Sequence, residues 1–234
     1  MSIEIENVTL GILVYKSQDW LGYVLDGIRE AKNLTPSKTL VVANDPYPEI
    51  ESDERVDYVF KNNDPDEYYI NRVYRAWNKV VELSDTEWVC LLNSDMYVSD
   101  YWLDELVDCA KAGGTLPTSM LVESGVIPSR YPDYVRNFGV TTSTFDKDGW
   151  AAHAREKRRG MEHGVGQLYM PVLFRKSDFM RVGGYPCGNP GGVSGDRVLF
   201  KKFDEIGLRH TVCYGSIVYH VQEGEMRDER GMVS

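Results

Sequence analysis

The chain has 234 residues, 42% of them hydrophobic and 12% aromatic, which is enough to bury a core and excludes a disordered polymer. A formal net charge of -10 opposes broad attraction to nucleic acid or anionic membrane, leaving that to a local basic patch, and does not oppose a divalent cation. Cys90, Cys109, Cys187 and Cys213 are widely separated and form no CxxC pair, which argues against a zinc site or a disulfide scaffold.

Val8 to Tyr15 is a short, nearly continuous apolar run, as expected for a strand buried on both faces. Trp20, Leu21, Val24, Leu25 and Ile28 follow at helical spacing. Lys38 to Ala43 reads as a second strand closed by Asn44-Asp45-Pro46, and Val56 to Phe60 as a third. Ile70, Val73, Tyr74, Trp77, Val80 and Val81 mark one face of a longer helix. Glu87 to Leu92 gives another buried strand, ending at Asn93-Ser94-Asp95, and Trp102 to Ala110 the next helical stripe. Strands alternating with such helices predict βαβ units and a mainly parallel sheet, whose ligands sit beyond the carboxyl ends of the strands.

The second half is less regular. Asp148 to Arg159 reads as a helix with a basic face, Leu168 to Phe174 as an edge or bulged strand around Pro171, and Asp196 to Ile206 as a helix after a glycine-rich stretch. Thr211 to Tyr219 is a last strand ending at His220, and the charged tail 221–234 is expected to be mobile. No repeat or linker divides the chain, so one domain is expected. The N-terminus is acidic and lacks the basic flank of a signal peptide, and no apolar run reaches the length of a membrane span. These features predict a cytoplasmic protein without an integral membrane segment.

Asn93-Ser94-Asp95 is the first chemical constellation. A carboxylate at the end of a buried strand is placed to hold Mg²⁺ or Mn²⁺ against a diphosphate, although the same tripeptide also suits a helix cap. Asp45-Pro46 reads as a plain turn or as a carboxylate facing a bound base. Asp196, after Gly195, is a cap or a general base at a helix start. His220 is a structural histidine or a metal ligand. Arg155, Lys157, Arg158 and Arg159 are a solvated helix face or a contact for an anion.

Ala76-Trp77-Asn78-Lys79, followed by Glu87-Trp88-Val89-Cys90-Leu91-Leu92-Asn93-Ser94-Asp95-Met96, resembles the core block of family-2 glycosyltransferases. Trp77 stands where that family usually has arginine, and Asn93 replaces its first aspartate. Phe179 to Tyr185 with Gly195-Asp196 is similar to the family's acceptor-side block, Gly195 replacing a glutamate. The resemblance implies a GT-A type α/β fold, with a nucleotide-sugar half (residues 1–95) and an acceptor half (96–220). It implies an inverting, Mn²⁺- or Mg²⁺-dependent transfer from a nucleotide-sugar donor, with a UDP-sugar favoured. The acceptor hydroxyl would belong to a glycan, a lipid-linked sugar, a small molecule or modified nucleic acid.

By the same resemblance, Val14, Tyr15, Asn44, Asp45, Asn78, Asn93, Ser94 and Asp95 face the donor, Asp95 and His220 hold the metal, and Asp196 is the catalytic base. Three rivals remain. A sugar nucleotidyltransferase and a dinucleotide dehydrogenase both need glycines after the first strand, where Tyr15-Lys16-Ser17-Gln18-Asp19 has none. A non-catalytic nucleotide-sugar binding module is compatible with the departures at Trp77, Asn93 and Gly195.

Overall fold

The computed structural model describes residues 7–46, 50, 51, 53–62, 67–129, 131–160, 163–166 and 168–225. The expected alternation is present: β1 (Val8–Tyr15), α1 (Gln18–Glu30), β2 (Lys38–Asn44), β3 (Tyr58–Asn62), α2 (Tyr69–Leu83) and β4 (Trp88–Asn93). Ser17 caps α1, its side chain accepting from the Trp20 N–H at 3.4 Å. A three-residue strand, β5 (Met96–Val98), then leads to α3 (Trp102–Lys111) and β6 (Thr115–Glu123). The second half adds α4 (Lys147–Lys157), β7 (His163–Val165), β8 (Val172–Arg175), α5 (Lys176–Arg181), α6 (Gly195–Glu205) and β9 (Arg209–His220).

One mixed, mainly parallel sheet runs β3-β2-β1-β4-β8-β6-β9-β5, with β7 also paired to β9. Its first four strands are parallel, while β5, β7 and β8 pair antiparallel to their neighbours. α2 packs on β1 and β2, and α3 on β6, β8 and β9. The largest cluster buries Leu10, Ile12, Val41, Val80, Leu91, Leu103 and Phe203 around these strands. A second, aromatic cluster joins α1, β5, α4 and β9 through Trp20, Tyr97, Trp150 and Tyr219. Each such side chain, fully buried, contributes about 1.5–3 kcal/mol.

Two expectations change. The run read as a strand from Leu168 forms its ladder only from Val172. The start of the expected mobile tail is packed: Val221 and Gln222 are buried, and the Gln222 side chain donates to Ile127 O at 3.1 Å while accepting from the Ile127 N–H at 3.0 Å. Residues 226–234 lie outside the described residues. Among the described residues no helix is long and apolar enough to cross a membrane.

Candidate functional site

The parallel strands end together, and a crevice of about 270 Å³ opens there. Leu13 and Tyr15 line it from β1, Asn44 from β2, and Asn93, Ser94 and Asp95 from β4 and the turn after it. Val14 does not face it. Strand side chains alternate, and Val14 is fully buried in the core between two crevice residues. The far wall is α2, through Tyr69, Arg72 and Val73.

Asp45 is also absent from the lining. Its carboxylate is bound by the guanidinium of Arg72, and Asn44 Oδ1 accepts from Asn62 Nδ2 at 2.8 Å. Arg72 is the residue that inspection of the sequence missed. It is 6% exposed, its Nε is buried without a hydrogen-bond partner among the described residues, and it brings a fixed positive charge into the crevice. The signal was a cation inside an apolar helical stripe.

Register brings Asp95 and His220 together. β5 runs antiparallel to β9 with Met96 opposite His220, and the Val221 N–H donates to Asp95 O at 3.0 Å. His220 Nε2 therefore lies 3.5 Å from Asp95 Oδ2. Burial pushes the Asp95 carboxyl up, but the imidazole of His220 and the Gly224 N–H more than offset this and hold it below the ordinary carboxylate value. Burial lowers His220, and the Asp95 carboxylate outweighs that and raises it.

Among the described residues His220 Nδ1 is buried without a hydrogen bond, Glu123 being 3.9 Å away. The Asp95 carboxylate and the His220 Nε2 that faces it are donors that a divalent cation of the Mn²⁺ kind accepts, and the carboxylate alone also suits Mg²⁺; the unsatisfied Nδ1 lies on the other side of the ring, nearest Glu123. Among the described residues no group of three or more His, Cys, Asp or Glu is arranged to hold a metal, so such a cation would take its remaining ligands from water or substrate.

The segment after β9 closes one side. Gln222 and Glu223 have left-handed backbones, at φ of 66° and 57°, which turn the chain over the crevice. Glu225 Oε1 accepts the Tyr15 N–H at 3.0 Å and is bonded to the Ser94 hydroxyl.

Asp196 belongs to a neighbouring station and does not line the crevice. The rings of Tyr74 and Tyr185 stack at 5.1 Å, 7° from parallel. Tyr74 Oη accepts the Gly195 N–H at 2.8 Å, and the Tyr185 hydroxyl donates to Asp196 Oδ1 at 3.2 Å. Burial raises the Asp196 carboxyl, only partly relieved by that hydroxyl. Gly195 has a direct cause here, since a Cβ on it would stand 2.4 Å from the Tyr74 ring. The absence of a glutamate at that position follows from the stacked pair.

Asn78, expected at the donor, spans the backbone of Tyr185 instead. Its Oδ1 accepts the Tyr185 N–H at 2.9 Å and its Nδ2 donates to Tyr185 O at 3.1 Å. Both polar atoms being engaged, its place is to fix the turn at Gly184, whose φ of 63° needs a glycine. α2 thus serves both stations, lining the crevice at its first turn and holding the Asp196 turn further along.

No protein-family model matches the sequence, and no curated protein matches it. Among solved structures, the crystal structure of S. aureus TarS, a glycosyltransferase, aligns with a TM-score of 0.59 at 11% identity, over 95% of this chain. The chain spans 38% of the length of that protein. The likeness shows the fold, and the α/β sheet flanked by helices expected from the sequence is the fold found.

Proposed function

We propose that this chain is a glycosyltransferase domain that moves a sugar from a nucleoside diphosphate onto an acceptor hydroxyl. The observation that carries the reading is the crevice at the carboxyl ends of β1, β2 and β4. There, Arg72 and Asp95 line one crevice, with His220 outside the lining and its Nε2 3.5 Å from Asp95 Oδ2. In open α/β sheets that is where nucleotides bind. The Arg72 guanidinium, held by Asp45, offers N–H donors of the geometry that suits phosphate oxygens, and the TarS likeness adds support for the fold.

In this reading Tyr15, Asn44 and Asn93 contact the nucleoside end, and Arg72 and Ser94 orient the diphosphate. Asp95 and His220 hold Mn²⁺ or Mg²⁺, which when bound supplies Lewis-acid neutralisation of the leaving group. Asp196 takes the proton from the acceptor hydroxyl. The hydroxyl oxygen then bonds to the anomeric carbon as the bond to the diphosphate breaks, with inversion and without a covalent enzyme intermediate. The raised Asp196 carboxyl is a stronger base once ionised, which suits proton abstraction.

Thermal-shift and calorimetric screening of UDP-sugars with Mn²⁺, followed by donor hydrolysis, tests the reading. Saturable binding with turnover supports it. Binding without turnover on any acceptor, or even with water, would make the domain a binding module, and absence of nucleotide binding would overturn the proposal.

A further inference from the structure

A second cleft, of about 550 Å³, opens between the end of α1, the turn before α3 and one face of α4. It shares no lining residue with the crevice at the strand ends, and its size is that of small-ligand pockets. Its floor is apolar, built on the buried Tyr97 and Trp150. Its rim is not. Lys32, Lys147, Arg155 and Arg158 stand against Glu30 and Asp100, a local excess of positive charge on a chain whose net charge is -10.

Part of that charge is neutralised within the fold. Lys147 pairs with Glu30, and Arg158 with Glu105. The side chains of Arg155 and Lys32 have no acidic partner among the described residues. Asp100, the nearby carboxylate, accepts the backbone N–H of Lys32 at 2.9 Å.

Tyr101 is an independent observation at the same place. Its backbone is left-handed, φ 64° and ψ 13°, a conformation that a bulky residue rarely adopts and that tends to persist where a side chain must be held in position. Its N–H donates to Lys32 O at 2.7 Å, and the Arg158 guanidinium lies over its ring at 4.5 Å. Tyr101 is nevertheless 41% exposed, and it lines the same cleft as the unneutralised cations. An aromatic surface next to spare cations matches a ligand with both a sugar ring and a charged group.

We propose that this cleft binds a phosphorylated saccharide, with Arg155 and Lys32 taking the phosphate and the Tyr101 ring packing against the sugar. Among the described residues neither cation is in a salt bridge, so their removal breaks no ion pair there.

Calorimetry with glucose 6-phosphate, against glucose and inorganic phosphate, tests this on the wild type and on Lys32→Gln/Arg155→Gln. The wild type should bind glucose 6-phosphate about tenfold or more tighter than either control, and the double variant should lose about tenfold, the scale of one charge-assisted hydrogen bond. Added salt should weaken binding. Tyr101→Ala should erase the preference over inorganic phosphate. No saturable binding by the wild type, unchanged affinity in the double variant, or glucose 6-phosphate binding no tighter than inorganic phosphate would each overturn the proposal. Uridine diphosphate affinity should be unchanged in the double variant, which separates a failure here from a failure at the crevice.

Discussion

The hydroxyl of Tyr185 reaches Asp196 Oδ1 at 3.2 Å while its ring lies flat on Tyr74, so the acid that opens α6 is oriented from outside its own helix. Two side chains from distant segments set the position of one carboxylate, and this site and its neighbour fix the expected behaviour of six variants.

Asp196→Asn keeps an acceptor for Tyr185 and removes basicity. Turnover should fall by about 10²–10⁴-fold with donor affinity nearly unchanged. Stability should move the other way. The folded carboxyl is raised above its usual 3.8, so the folded state holds a proton the unfolded chain has released. Stability from this group is fully present below the unfolded value and is lost as pH rises through the raised one. The variant should therefore gain thermal midpoint over wild type more at pH 8 than at pH 4, in paired melting curves, and an equal difference at both would contradict the burial argument.

Gly195→Ala forces a Cβ to within 2.4 Å of the Tyr74 ring. Overpacking of this kind costs about 1–3 kcal/mol. Urea unfolding should show that loss, and kcat should fall because Asp196 shifts with the helix start. Tyr74→Phe keeps the stack and loses two hydrogen bonds, the one accepted from the Gly195 N–H at 2.8 Å and the one donated to Asn189 Oδ1 at 3.1 Å, while the Gly195 N–H retains Asn189 Oδ1 at 3.2 Å. Each lost bond is worth about 0.5–1.5 kcal/mol. A harmless Gly195→Ala would refute the explanation for that glycine.

Asp45→Asn tests what the carboxylate at the second strand end does. With its carboxylate bound to Arg72, Asp45 acts by holding a guanidinium in the crevice. The variant should weaken UDP and ADP alike, by about 1–3 kcal/mol. Selective loss of UDP in competition binding would restore a direct contact with the base.

Chelation tests the Asp95–His220 pair. EDTA should lower nucleotide-sugar affinity in the wild type and have no further effect on Asp95→Ala, measured by calorimetry with and without Mn²⁺. A His220→Ala protein with full Mn²⁺ dependence would leave the histidine a structural role.

The first half was readable from Val8 to Asp95, because its helices each bury one clear face and β1, β2 and β4 are short apolar runs buried on both faces. β6 was not readable. Pro117, Thr118 and Ser119 interrupt its pattern, and their partners are distant: Thr118 Oγ1 donates to Thr211 O at 3.3 Å, and Ser119 meets Ser216 at 2.7 Å. Arg72 hid within an apolar stripe because its partner lies 27 residues earlier. The meeting of Asp95 with His220 depends on β5, three residues long and too short to show a period. Local signals are visible in a sequence, whereas pairings across the sheet are settled only by register.

Glu225 already holds the Tyr15 N–H and the Ser94 hydroxyl. A ligand that takes those two donors finds them in use, and its observed affinity is the intrinsic one multiplied down by the fraction of molecules whose Glu225 has left. The resident carboxylate also repels an arriving bare anion. Entry then favours a ligand that carries its own counter-charge, and the ligand-free domain rejects simple anions by competition rather than by shape.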